Sequence, residues 1–168
     1  GSFIYAKGSV DWTKSVTQLG GTLNIKDDQA SGKGFGLGFY FRPNDKLDVS
    51  IAYRSPIDME ANEGLATFNI SSSLFSAVGL DANGQDKFKA ILPLVDEYTI
   101  GVTYKVTPKW SVSGDFNYSG WDRYGRLVLD FENAKVNQAG PDPTIQVSPK
   151  NFHSTKTWRI GTQYMVTD

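Results

Sequence analysis

The chain contains no cysteine. That excludes a disulfide framework, a thiol nucleophile and a thiolate metal cluster, and it suits a chain that crosses an oxidising compartment. His153 is the single histidine, and nothing around it has the spacing of a catalytic triad or a G-x-S-x-G elbow. Neither sign of charge is in excess: 17 basic residues face 18 acidic ones, for a net charge of −1. The electrostatic footprint of a nucleic-acid binder is therefore missing. No apolar run approaches the roughly 20 residues of a membrane-spanning helix. A negative mean hydropathy leaves a membrane barrel open, because each barrel strand turns every second residue to the lumen. What the chain does hold is 17 Gly, 8 Tyr and 13% aromatics. Tyr, Gly and Thr crowded into alternating runs favour strand over helix.

The clearest pattern lies between Leu94 and Phe131. Tyr98, Ile100, Val102, Tyr104 and Val106 share one parity, with Thr99, Gly101, Thr103 and Lys105 between them. After Thr107-Pro108-Lys109 the alternation resumes, with Trp110, Val112, Phe116 and Tyr118 apolar and Ser111, Ser113, Asp115 and Asn117 polar or small. Period-two alternation on both sides of a short turn predicts a β-hairpin with one oily face. That face suits the core of a soluble sandwich or the lipid side of an outer-membrane barrel.

Before it, Phe3 to Ile25 reads as one weakly patterned extended run, and Lys26 to Gly32 as a polar turn. Phe35, Leu37, Phe39 and Phe41 then alternate with Gly34, Gly36, Gly38 and Tyr40. The spacing is not that of a phosphate-binding loop, and no helix pattern follows. Arg42 to Lys46 is a tight turn, and Leu47, Val49, Ile51 and Tyr53 form the next alternating set. Ser55-Pro56 should break the ladder, with Ile57 to Ile70 continuing beyond a bulge. From Ser71 to Pro93 the pattern is irregular. Leu74, Phe75, Val78 and Leu80 suggest one helical turn, and Phe88, Ile91 and Leu92 another. Past Ser119-Gly120-Trp121 the parity shifts to Leu127, Leu129 and Phe131, which predicts a kink or bulge. A loop at 132–152 leads into a last strand carrying Trp158, Ile160, Tyr164 and Val166 on one face.

The predicted fold is all-β: an antiparallel meander of about six long strands in one domain, with short helical turns in the long loop. Turns at Pro43-Asn44-Asp45 and Thr107-Pro108-Lys109 are tight, while the connections at the other end are long. That asymmetry is the one outer-membrane barrels show, and it makes 71–93 and 132–152 extracellular loops. Gly1-Ser2 reads as a cloning remnant, and the chain stops at Val166-Thr167-Asp168 where a turn is due, so a piece of a longer chain is expected.

Phe39-Tyr40-Phe41-Arg42-Pro43-Asn44-Asp45-Lys46-Leu47, followed by Ile51-Ala52-Tyr53-Arg54-Ser55-Pro56, resembles the long-chain fatty acid transporter family of Gram-negative outer-membrane proteins. That family also takes up aromatic hydrocarbons. Leu92-Pro93 through Tyr104, Trp110 through Trp121, and Thr157-Trp158-Arg159 before Gly161 and Tyr164 resemble its next strands in order, so the likeness covers most of 32–168. The resemblance implies a barrel of roughly fourteen strands, an N-terminal plug in the lumen, capture of ligand at an extracellular groove, and sideways release near a kinked strand. Gly34, Gly36 and Gly38 would then face the lumen where a plug comes close. The plug and the remaining strands would be partners outside this segment, and the segment alone is expected to self-associate through its cut edges.

Leu74, Phe75, Val78, Leu80, Phe88, Ile91 and Leu92 form the candidate lipophilic groove, weighed against simple packing on one another. Arg54, Asp115 and Arg159, with Lys105 and Arg123, are read as lumen-lining or cross-strand ion pairs. Asp130 and Glu132 share a strand face, yet ordinary polar positions explain them better than a metal. No cofactor and no metal are expected. The leading function is a non-catalytic outer-membrane channel for hydrophobic small molecules or lipids. The rival is a soluble lipocalin-like barrel whose cavity is lined by Phe35, Phe39, Ile51, Tyr104 and Trp110. A barrel hydrolase lacks a nucleophile–base pair.

Overall fold

The computed structural model describes residues 1–136 and 141–166. Its strands are β1 Ser2–Val16, β2 Gly21–Asn44, β3 Leu47–Arg54, β4 Ile57–Asn69, β5 Gln85–Leu94, β6 Glu97–Thr107, β7 Trp110–Ser119, β8 Arg126–Phe131, β9 Ile145–Pro149 and β10 Thr155–Tyr164. All pair antiparallel in one sheet ordered β10-β7-β6-β3-β2-β4-β5-β8-β9, with β1 on the other side of β2. β3 and β4 lie end to end along β2, β6 and β5 along them, β7 and β8 next, and β10 and β9 last. The ten pieces therefore make six long strands in an up-and-down meander. Among the described residues β1 pairs with β2 alone and the β9–β10 edge stays open, so the sheet is not closed.

The tight turns fall where the sequence puts them. Asn44 Oδ1 accepts the Lys46 N–H at 2.9 Å in the β2–β3 turn, and Thr107 Oγ1 accepts the Lys109 N–H at 3.3 Å in the β6–β7 turn. Three expectations need correction. Phe3 to Ile25 is a hairpin, with a 3₁₀ turn at Thr17–Leu19 and Gly20 joining β1 to β2. Lys26 to Gly32 is the interior of β2, laddered to β1 on one side and β4 on the other. Polar residues are tolerated there because two neighbouring strands take the backbone groups, and a bulge near Asp28 and Gln29 lets Asp27 Oδ1 accept the Gln29 N–H at 2.8 Å. Phe88, Ile91 and Leu92 lie in β5, not in a second helical turn. The first does form, as Ser72–Leu74 and Phe75–Val78, closed by Gly79 at φ +81°, where a side chain would be strained. The stretches 71–93 and 132–152 thus each hold a strand, and 137–140 and the end at Thr167-Asp168 lie outside the described residues.

Four long strands break at one level: at Ser55-Pro56, at Val95-Asp96, at the 3₁₀ turn Trp121–Tyr124, and between Pro149 and Thr155. From Gly36–Arg54 to Ser31–Glu60 the ladder advances five residues on β2 and six on its partner. The added residue turns the strand over. Gly34 sits on the face opposite Phe35, and a Cβ built on it would lie 2.6 Å from Ile57 Cγ1. So Ile57 points inward although Tyr53, below the break, points outward. Ile57 pairs with Leu94, Ala61 with Ala90, and Ala90 with Leu129, which carries the inward face across β4, β5 and β8.

Above the breaks that inward face builds a core. Leu23, Ile25, Ala66, Phe68, Phe88, Leu129 and Phe131 are buried together with Val78, Leu80 and Ala134 from the connections. Phe131 lies 5.9 Å from Phe68 and 6.4 Å from Phe88, ring to ring. Asp86 pins the second connection by accepting the Asn133 and Ala134 N–H groups at 2.8 and 2.7 Å.

Candidate functional site

Below the breaks the outward face is apolar and uncovered. Across the ladder Phe39, Ile51, Ile100, Phe116 and Trp158 stand in one row, and Leu37, Tyr53, Tyr98 and Tyr118 in the next. Tyr53 and Tyr98 rings are 4.7 Å apart, and Tyr98 and Tyr118 6.0 Å. At the tight-turn end Tyr104, Trp110 and Tyr164 make a second aromatic level. From Tyr98 to Thr107 the strand rises about 30 Å, which a tilt of about 40° projects to about 23 Å. An apolar band of about 25 Å between two aromatic girdles is the lipid-facing surface of an outer-membrane barrel. No helix among the described residues is long and apolar enough to cross a membrane, which says nothing about strands.

The opposite face of the band is polar and carries cross-strand pairs. Arg54 Nη2 is 3.2 Å from Glu97 Oε2, Arg159 Nη1 3.1 Å from Asp115 Oδ1, and Asn117 donates to Thr99 Oγ1 at 2.9 Å. Tyr40, Arg42 and Asp48 form a cluster on the same face near the tight turn. Gly34 is crowded by Ile57 and Ser55 of the neighbouring strand, and Gly36 by Ser2 of β1. Only Gly38 of the three opens onto free space, its nearest neighbour being Ile51 O at 4.0 Å.

The seven loop residues do not share one surface. Val78, Leu80 and Phe88 are in the upper core, the last only 2% exposed. Phe75 packs against that core from its edge, and Leu74 precedes it at the rim. Leu92 shares the inward face with Met59 but is half-exposed, while Ile91 points outward. Two open depressions adjoin them. One of about 690 Å³ is lined by Phe75, Gly79, Leu80, Asn133 and Lys135, and another of about 730 Å³ by Ala90, Ile91, Pro93, Arg123 and Val128.

The breaks are tied to one another by polar contacts. Arg123 Nη2 reaches past β5 to Asp58 Oδ2 at 3.0 Å. Ser154 donates its hydroxyl to Asp122 Oδ2 at 2.6 Å and its N–H to Oδ1 at 3.0 Å, with His153 Nδ1 3.7 Å from Oδ1. The Ser154 hydroxyl and N–H, and to a lesser degree His153, hold the Asp122 carboxyl below the usual carboxylate range. The Ser154 hydroxyl is spent on a carboxylate instead of an imidazole, so the arrangement is a clasp between strand breaks and not a nucleophile with its base. Among the described residues no three His, Asp or Glu side chains are grouped to hold a metal ion.

Across residues 8–168 the sequence matches the family described as outer membrane protein transport protein (OMPP1/FadL/TodX). The chain belongs to this family. It is 26% identical over 144 residues to outer membrane protein NMB0088 of Neisseria meningitidis serogroup B, covering 82% of this chain and 30% of that one. Over 113 residues it is 24% identical to outer membrane protein P1 of Haemophilus influenzae, covering 67% and 23%. Among solved structures it resembles a FadL homologue of Pseudomonas aeruginosa, with TM-score 0.73, 14% identity, and coverage of 99% of this chain and 41% of that one. It also resembles the toluene transporter TodX of Pseudomonas putida, with TM-score 0.56, 14% identity, and coverage of 94% and 40%. The chain thus spans less than a third of the curated relatives it matches.

Within the OMPP1/FadL/TodX family the segment is part of an outer-membrane β-barrel, and the apolar band is its lipid face. The soluble lipocalin-like alternative is not supported. Among the described residues Phe35, Phe39, Ile51, Tyr104 and Trp110 stand exposed on one outward face of an open sheet and enclose no cavity. Reading the sequence missed the inward-facing Trp12, Lys14 and Gln146. Their strands lie at opposite ends of the sheet, and no local pattern announces their meeting.

Proposed function

We propose that the protein carrying this segment passes hydrophobic small molecules inward across the outer membrane without covalent chemistry. The observation that supports this is the inversion at the breaks. The wall is apolar toward lipid and polar inside the band, yet apolar inside once it rises above the membrane. A hydrophobic solute arriving from outside meets its own kind of surface only on the inner side of the upper half. Phe75 and Leu74 at the rim, with the half-exposed Leu92, offer first contact, over a floor of Val78, Leu80 and Phe88. Ile91, facing outward, would meet ligand only along the wall. A plug closing the lumen would lie against the bare face at Gly38, and its rearrangement would open the path.

The test is uptake of a labelled long-chain fatty acid and of labelled toluene by cells that lack other transporters of this class. Expression of the full-length protein should raise the initial rate for at least one of them. Rates equal to the empty vector for both would refute the reading. Replacing Phe75 and Leu92 together by Asn should raise the half-saturating concentration several-fold while leaving membrane insertion unchanged.

A further inference from the structure

The outward face changes character within one step above the aromatic girdle. Lys33 lies beyond Phe35 on the same side of β2, about 7 Å farther along the strand and opposite Tyr5. Lys156 stands opposite Tyr118, at the top of the band on β10. On β4 Asp58 points outward between the buried Ile57 and Met59, opposite Pro93. Arg126 precedes the buried Leu127, and the β5–β8 register, carried on from Ala90 and Leu129, brings it level with Pro93. Arg123 reaches in from the 3₁₀ turn to Asp58.

Asp58 is the acid that the strands present at this level, and Arg123 takes it. Among the described residues Lys33, Arg126 and Lys156 form no ion pair. Asp122, beside Arg123 in the turn, is engaged by Ser154. Further acids on the outward face stand higher: Glu60 is opposite Ile91, and Asp130 is beyond it and opposed by Lys89. Pro93, Ile91 and Val128, with Arg123 and Arg126, line the depression of about 730 Å³, which opens on this same face.

An aromatic girdle marks where hydrocarbon gives way to headgroups. The tight turns lie at the other end of the strands, so the headgroups at this level belong to the outer leaflet. Cations there gain from an anionic lipid surface, and the planar fork of arginine matches a phosphate with two bonds. Lys33 and Arg126 are three strands apart, about 14 Å at ordinary strand spacing. A headgroup with a single phosphate reaches only one of them. Two phosphates held apart by a disaccharide reach both, with the sugar rings laid over Pro93 and Ile91.

We propose that this stretch of the outer wall binds a bisphosphorylated glycolipid of the outer leaflet, chemically a lipid A. One phosphate sits at Arg126 and Arg123 and the other at Lys33, while the acyl chains run down the apolar band. The site is a continuation of the lipid face and is separate from whatever the lumen carries.

The test is native mass spectrometry of the full-length protein in a non-ionic detergent, titrated with bisphosphoryl lipid A, its monophosphoryl form and phosphatidylglycerol. The bisphosphoryl form should bind about five- to tenfold more tightly than either of the others. Arg126→Gln should weaken it about fivefold and remove its advantage over the monophosphoryl form. Lys33→Gln should do the same, and Arg126→Lys should keep most of the affinity. Lys87→Gln, outward but higher on β5, should change nothing, and inorganic phosphate in large excess should not compete. Equal binding of the two lipid A forms, or a loss with Lys87→Gln as large as with Arg126→Gln, would overturn the site in favour of general charge attraction. Phosphatidylglycerol binding as tightly, or displacement by inorganic phosphate, would overturn it in favour of any anionic lipid or a free anion. Each of these results leaves uptake through the lumen standing, because the residues face away from it.

Discussion

The wall below the breaks and the extension above them use the same alternation for opposite ends. Below, Phe39, Ile51 and Ile100 point away from the sheet's polar face and, among the described residues, find no protein partner outside it. Above, Leu23, Phe68 and Phe131 point inward and are buried by their neighbours and by the connections. In the band the apolar face is satisfied by lipid, so it needs no packing within the chain. In the extension water lies on the outside, so the apolar face must turn in and close on itself. One extra residue at Ser55-Pro56, the break at Val95-Asp96 and the turn at Trp121–Tyr124 carry the change between the two solvents.

The contrast can be broken at its strongest point first. Phe68→Ala removes a ring that is 2% exposed from the upper core and should cost about 3–5 kcal/mol. Ile100→Ala in the band, where lipid fills the space, should cost well under half as much. Urea unfolding of both variants in one detergent decides this, and equal losses would mean the band is packed by protein after all.

Next in size is a charge on each outward face. Val102→Lys near the middle of the band should cost about 2–4 kcal/mol, as cations do at the midplane of outer-membrane barrels. Glu60→Lys, outward but above the breaks, should stay within about 0.5 kcal/mol. Refolding into lipid vesicles at graded urea gives both numbers. A large cost at Glu60 would move the membrane boundary upward.

The smallest effect concerns the junction itself. Ser154 holds the Asp122 carboxyl below its ordinary range, so the clasp contributes fully at neutral pH and is lost as pH falls below about 4. Asp122→Asn should flatten that acid dependence and speed amide exchange around Ser154, with little change in overall stability because the group is exposed. An acid profile identical to that of the unaltered protein would mean that the clasp holds nothing.

Much of this was legible beforehand. Tyr98 to Val106, Trp110 to Tyr118 and Phe35 to Phe41 announce their strands because neighbouring side chains on a strand point to opposite faces, a property of the backbone alone. The break at Pro56 and the kink after Ser119 were legible for the same reason, since proline and a parity change are local signals. Lys26 to Gly32 misled because turn-like composition says nothing about whether strands lie on both sides to take the backbone groups. The parity change at Leu127 was legible as a kink, but not as the transfer of the apolar side chains to the other face. Of the candidate groove, the oily character of Leu74 to Leu92 was visible, while its division between core, rim and outer wall was not.

By itself the sequence determined the all-β class, the six long strands, the tight turns at one end and the existence of an oily face, since each follows from period-two spacing and turn chemistry within a few residues. Only the tertiary structure decided which way that face points in each half, and that Lys14 and Gln146 meet. Sidedness depends on the register between strands, where one inserted residue reverses every side chain beyond it, and register is set by hydrogen bonds between residues far apart in the chain.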